Sequence, residues 1–201
     1  MSQSDRRFEV AEAAWRVIVR EGLDHTSIRA IAQELGCTTG VVTHHFRDKQ
    51  ELILFALNQV TQRLLTIMQA EASQPLGVDR LVAMLSAFLP LDAERQDLLK
   101  VWLAFLGYAI GRESLLVEHQ KYANCLRELI IQELKALQAD QFLRSDLDPA
   151  MEANVLLALV NGISLDSLIQ AKSLSSKQQK FTLWQYVSGL SATSQETRPL
   201  N

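Results

Sequence analysis

The stretch from Thr26 to Leu52, TSIRAIAQELGCTTGVVTHHFRDKQEL, limits what this chain can fold into more than any other. Thr26 stands where a hydroxyl caps a helix by accepting one of the unpaired N–H groups of its first turn. Ile28, Ala32 and Leu35 then recur at helical spacing, and Ile31 widens the apolar stripe. Gly36 follows where a left-handed residue ends a helix. Thr38 caps a second, short helix through His44, and Asp48-x-x-Glu51 is a capping box that opens a third. Two helices joined by a short turn containing Gly form a helix-turn-helix, whose second helix enters the major groove of DNA.

That second helix has the side chains of a groove reader. Thr38, Thr39, Thr43 and His44 offer short polar groups, Gly40 lets the backbone approach closely, and Val41 or Val42 can meet a thymine methyl. Phe46 plugs back onto the core. Thr26, Arg47 and Lys49 are expected to hold phosphates, Lys49 from the first turn of a helix. Arg29 adds to the basic residues of this region.

IRAIAQELGCTTGVVTHHFRDKQEL resembles the DNA-binding segment of TetR-type transcriptional regulators, which ends in an HF or YF pair, a charged loop and a Lys. The resemblance covers about the first 60 residues strongly. It departs at Thr43, where most of the family carries a Tyr that often touches a phosphate. GVVTHHF is similar instead to the GxxSHYF form of the BetI-like, choline-sensing repressors of betaine synthesis, and WLAFLGYA and LLALVNGISLDSLI also look like that branch. The resemblance implies a repressor with a helical effector domain, and a choline-like effector would suit it.

Composition agrees with an all-α fold. Of 201 residues 48% are hydrophobic and 6% aromatic, and eight Gly with four Pro leave little room for the turns of a β fold. Residues 1–63 hold eight basic and eight acidic side chains, so the net charge of −3 resides in the rest. DNA binding would therefore need Arg6, Arg7, Arg29, Arg47 and Lys49 gathered on one face. Arg6 and Arg7 either reach DNA or are simply solvated. Cys37 and Cys125 are too few for a disulfide framework or zinc site, the N-terminus lacks a signal-peptide core, and no run approaches the ~18 apolar residues of a membrane span. The expectation is a cytoplasmic protein without cofactor, metal or membrane partner.

The first helix, Arg6 to Glu21, places Phe8, Ala11, Trp15 and Ile18 on one side and ends at Gly22. The spacing predicts a three-helix DNA-binding domain over 1–47 and a long connecting helix over 48–72. A helical effector-binding and dimerisation domain follows over 73–192, then a disordered tail over 193–201, with about nine helices in all. Asp148-Pro149 opens one later helix, and Ser176-x-x-Gln179 caps the last.

Apolar residues surround much of the segments 151–172 and 177–190. Leu159, Ile163, Leu168, Phe181 and Trp184 are candidates for a homodimer interface, the alternative being packing within one subunit. Trp102, Phe105 and Tyr108 recur every three residues. With Phe88 they line an apolar pocket or belong to an ordinary core, and aromatic faces suit a quaternary ammonium. Asn161 is a candidate pocket group or a dimer hydrogen bond.

No catalytic constellation is present. None of His25, His44, His45 and His119 stands in a metal spacing, and Cys37 lacks a catalytic partner and reads as a packing residue in the turn. The functional expectation is a homodimeric regulator on palindromic double-stranded operator DNA, released by a small molecule. The alternative is a helical dimeric interaction protein with degenerate DNA binding.

Overall fold

The computed structural model describes residues 3–23, 25–170 and 173–192, so the tail expected to be disordered lies outside the described residues. Among them are nine α-helices and one short 3-10 turn. No β-strand occurs among them; Leu143 and Ser191 form an isolated bridge.

The chain divides into two compact units, residues 1–63 with 97–118, and 64–96 with 119–201. This differs from the division expected from the sequence. The long helix is split at Arg63, and most of the aromatic helix belongs with the DNA-binding end.

In the first unit, α1 (Gln3–Glu21), α2 (Ile28–Leu35) and α3 (Thr39–His45) enclose a core with the start of α4 (Lys49–Glu71). Val10, Ala13, Ala14 and Val17 of α1 meet Ile31, Ala32, Val42, Phe46 and Leu52 there. The buried stripe of α1 is thus rotated from the expected one: Ala11 and Ile18 are buried, Trp15 is half-buried and Phe8 is exposed. Small Ala residues at 13 and 14 let α2 approach closely, which larger side chains at 8 and 15 do not. α6 (Ala93–Ala109) and the first turns of α7 (Glu113–Ala139) complete the unit up to residue 118.

In the second unit, α5 (Val78–Leu85), the remainder of α7, α8 (Pro149–Ile169) and α9 (Ser176–Ser188) share one core. Leu81, Leu85, Leu89, Ile130, Leu134, Leu156, Val160 and Leu183 form its centre. Arg80 reaches across to Glu133 through two hydrogen bonds of 2.8 Å, a bidentate pair with little exposure.

Helix ends follow local chemistry. Gly36 adopts φ 67°, a left-handed conformation open to Gly without strain, and its N–H closes on the Ala32 and Gln33 carbonyls. Asp148 caps α8 by accepting from the Ala150 and Met151 N–H groups, with Pro149 in the first turn. Two caps are displaced by one residue. Ser27, not Thr26, caps α2 by accepting from the Ala30 N–H at 3.1 Å. Ser175 and Gln178, not Ser176 and Gln179, form the capping box of α9. Ser176 instead donates to the Leu91 carbonyl, and Gln179 is buried and donates to that of Leu174.

α8 corrects one expectation. By length and composition it is apolar enough to cross a membrane, yet one third of its most apolar window is buried within the chain itself. Ala153, Leu156, Val160 and Ile163 face the core of the second unit. Met151, Val155, Leu165 and Ile169 are exposed.

Candidate nucleic-acid interface

The recognition helix α3 is held from behind by two residues. Val42 is fully buried, and Phe46, its C-terminal cap, is 1% exposed and meets the Phe55 ring at 5.4 Å. Val42 is therefore unavailable to a thymine methyl, and half-buried Val41 remains. On the opposite side Thr38, Thr39, Gly40, Thr43 and His44 are exposed together, with Arg29 of α2 also exposed. Thr38 starts α3 by its backbone, but its hydroxyl makes no capping bond and is left to other partners.

Thr43 donates its hydroxyl hydrogen back to the carbonyls of Thr39 and Gly40, at 3.2 and 3.3 Å. The residue is exposed, so its oxygen lone pairs and methyl group are open to a partner. That suits accepting from a base amino group or touching a thymine methyl. Gly40 has helical backbone, and a Cβ there would meet only the Thr38 hydroxyl at 3.7 Å, ordinary contact. Nothing in the fold demands Gly at this position.

Beyond α3, Arg47 points outward with a side chain 85% exposed, beside Asp48 at 3.3 Å. The Glu51 N–H donates to Asp48 at 2.8 Å, while the Glu51 carboxylate accepts from the Arg47 N–H instead of closing the box on Asp48. That backbone hydrogen bond, with the Asp48 bonds to the Glu51 and Gln50 N–H groups, fixes the 46–51 corner. These bonds, Glu51's first, hold the Asp48 carboxyl below the usual range.

Two expected phosphate contacts face inward. Thr26 is 1% exposed, and its hydroxyl donates to the Gly22 carbonyl at 2.8 Å, closing the α1–α2 corner. It is no phosphate ligand, because its donor is used and water is excluded from it. Lys49 is half-buried; its ammonium donates to the Leu23 carbonyl at 2.9 Å and lies 5.8 Å from the Tyr108 ring centre. Arg6 pairs with Glu9. Arg7 has a role not evident from the sequence: its guanidinium lies 4.8 Å over Phe46 and 5.1 Å over Phe55, and it pairs with Glu51 at 2.9 Å. It packs against the back of the recognition helix through these contacts. Arg16 and Arg20 both pair with Glu34, joining α1 to α2.

His45 follows His44 with their rings 5.0 Å apart, and its Nδ1 is buried without a partner. Burial, then the charges of His44, Arg6 and Arg7, hold its pKa below the ordinary value. The unfolded chain therefore takes up a proton more readily than the folded one. This contribution to stability is present above about pH 6.5 and is lost as pH falls through the lowered folded value. Thermal melts of His45→Asn should lose part of the wild-type decline between about pH 7 and pH 5. An identical decline in both proteins would remove His45 as its source.

The expected effector and dimer residues separate. Phe105 is 1% exposed and belongs to the core, while Trp102 and Phe88 are half-buried. The Tyr108 ring is already occupied by cations of this chain, Arg112 at 4.0 Å and Lys49 at 5.8 Å, so it does not present a vacant face to a ligand. Asn161 is exposed and not an interior pocket group. Ile163 is 6% exposed within the core of its own unit, so it faces inward and not toward a second subunit as expected. Leu159 and Leu168 are half-buried. Phe181 and Trp184 are 56% and 43% exposed and stack on each other at 6.2 Å.

Among the described residues no cluster of His, Cys, Asp or Glu is arranged to hold a metal ion.

Comparison with known proteins agrees with this architecture. Residues 10–55 match the family model described as bacterial regulatory proteins, tetR family, and residues 77–192 match that of the BetI-type transcriptional repressor, C-terminal. The chain is 28% identical to the HTH-type transcriptional regulator PksA of Bacillus subtilis, covering 92% of this chain and 89% of that one. It is 26% identical to the HTH-type transcriptional regulator BetI of Vibrio vulnificus, covering 90% of each. Among solved structures, a transcriptional regulator from Pseudomonas aeruginosa superposes with TM-score 0.81 at 29% identity, over 96% of this chain and 94% of that one. A regulator from Saccharomonospora viridis, crystallised with choline, has the same fold with TM-score 0.84 at 24% identity, over 92% and 96%. The chain belongs to the TetR family of DNA-binding transcriptional regulators, which are not enzymes, and its C-terminal domain is of the BetI type.

Proposed function

We propose that this regulator is a homodimeric repressor that leaves a near-palindromic operator when a small quaternary ammonium compound of the choline class binds it. The observation behind the DNA half is the exposed row Thr39, Gly40, Thr43 and His44 on a helix whose other side is locked by Val42 and Phe46. Thr38, Thr39, Thr43 and His44 would read base edges, and Arg29 and Arg47 would hold phosphates. One short helix reads few base pairs, so specificity calls for two half-sites and a two-fold dimer. Phe181, Trp184, Leu159 and Leu168, with the exposed side of α8, supply the apolar surface for it. The choline class is supported by the BetI-type domain and by the choline bound in the similar Saccharomonospora viridis protein. Phe88, half-buried against the core of the second unit, remains a candidate aromatic group for it.

The test is selection of bound duplexes from a random library at moderate salt, about 0.1 M. A palindromic consensus is expected, with choline releasing the recovered operator. Thr43→Val should change the preferred base at one position of each half-site, whereas Arg47→Ala should weaken all sequences alike and lower the salt slope by about one. Binding without consensus, fading as salt rises, would sink the specific-reader assignment. An operator that ignores choline would remove the effector class alone.

A further inference from the structure

We propose that Tyr108 is a positioning residue for DNA binding, acting through Lys49, and that Lys49 is a latch on the helix-turn-helix instead of a phosphate ligand. The observations all lie within the first unit. Lys49 begins α4, the helix entered directly from the recognition helix and its corner. Its ammonium donates to the carbonyl of Leu23, in the short corner between α1 and α2 where Thr26 also closes on Gly22. On its other side lies Tyr108, near the C-terminal end of α6. Arg112 holds that ring in place twice, by its guanidinium 4.0 Å from the ring centre and by donating to the Tyr108 carbonyl.

One half-buried cation therefore ties three places far apart in sequence: the α1–α2 corner, the start of α4 and the end of α6. The Leu23 carbonyl already accepts from the Thr26 N–H at 3.2 Å, and the ammonium beside the electron-rich ring occupies its second lone pair, so that two donors pin the corner. Without the ring, the long Lys side chain regains its rotamers, and the corner keeps its tie to α4 only part of the time, held otherwise by the Thr26 N–H alone. DNA then meets a protein whose reading-competent form is a smaller fraction of the population, and apparent affinity falls by that fraction. Such a loss differs from that of a phosphate contact, because no counterion release is given up. Gln50, the next residue, donates to the Ser114 hydroxyl at 3.2 Å, a second tie between the start of α4 and the segment after α6.

The DNA part of the test rests on the operator-binding reading above, so a second readout uses the full-length protein without DNA. Lys49→Ala and Tyr108→Leu should each weaken binding of the selected operator by about 3- to 10-fold with an unchanged salt slope. Combined, they should weaken it little more than either alone. Both should speed amide hydrogen exchange at residues 22–28 in the DNA-free protein, while Tyr108→Phe, which keeps the ring, should behave as wild type in both measurements. A salt slope lowered by about one in Lys49→Ala would make Lys49 a phosphate ligand and overturn the proposal. So would exchange at residues 22–28 that is unaltered by Tyr108→Leu, or a Tyr108→Phe protein as impaired as Tyr108→Leu. If the wild type recovers no operator, the DNA reading fails, and the exchange measurement still decides the latch.

Discussion

Replacing Phe46 with Ala should destabilise the DNA-binding end of this protein by about 3–5 kcal/mol while leaving the second unit folded. Phe46 is 1% exposed, caps α3, packs in the core formed with α1 and α2, and supports Phe55 and the Arg7 guanidinium. Loss of a buried Phe side chain costs about 3–5 kcal/mol through lost transfer energy and the cavity left behind. A small helical unit whose total stability is on the order of 5–15 kcal/mol loses much of it. Calorimetry should show the melting of this unit move to lower temperature, and operator binding should weaken with it. Phe46→Leu, which fills most of the volume, should recover binding largely. A Phe46→Ala protein that melts as wild type would show that α3 is anchored by something other than this ring.

The second large effect is expected at Phe181. Phe181→Asp should convert the proposed dimer to monomers without harming the fold of either unit. The ring is 56% exposed and stacks on Trp184, which is itself partly exposed and donates its indole N–H to Asp79 at 3.1 Å. A charge there stays solvated in the monomer but must be desolvated in an interface, at a cost of several kcal/mol per ion. The dimer dissociation constant should rise by roughly 100-fold or more, since each 1.4 kcal/mol is about tenfold. Sedimentation velocity at micromolar concentration measures this directly. A Phe181→Asp protein that sediments as wild type would place the interface elsewhere, and a wild-type protein that sediments as a monomer would discard it.

The helix-turn-helix was legible because its signals are local. Gly36 and the Asp148-Pro149 pair act through backbone conformation and hydrogen bonds within a few residues, and both function as expected. Where two capable residues stand side by side, the same reasoning cannot choose. Thr26 and Ser27 both carry hydroxyls, as do Ser175 and Ser176, each followed at the right distance by Gln. The choice fell to the residue with extended backbone and a free path to the N–H: Ser27 and Ser175. Side-chain direction across helices was less accessible. Residues three apart rotate back by about 60° per step, so Trp102, Phe105 and Tyr108 span about 120° of the helix. Phe105 enters the core while Tyr108 meets Lys49. α8 is apolar around most of its circumference, so its periodicity could not tell that Ile163 turns inward and Asn161 outward. Arg7 was ambiguous for another reason: its three partners come from residues 46, 51 and 55, far along the chain.

Gly40 has a bearing on how such a regulator acquires new targets. A side chain added there would project outward, with only the Thr38 hydroxyl nearby. It would also favour the helix by up to about 1 kcal/mol over Gly. The fold thus leaves this position open without requiring Gly there. If the proposed reading surface is the one used, a single codon change can write a new group onto it while the scaffold behind stays as it is. Descendants of this gene can therefore diverge in the promoters they control before anything else about them changes, and a designer seeking an orthogonal switch has the same opening.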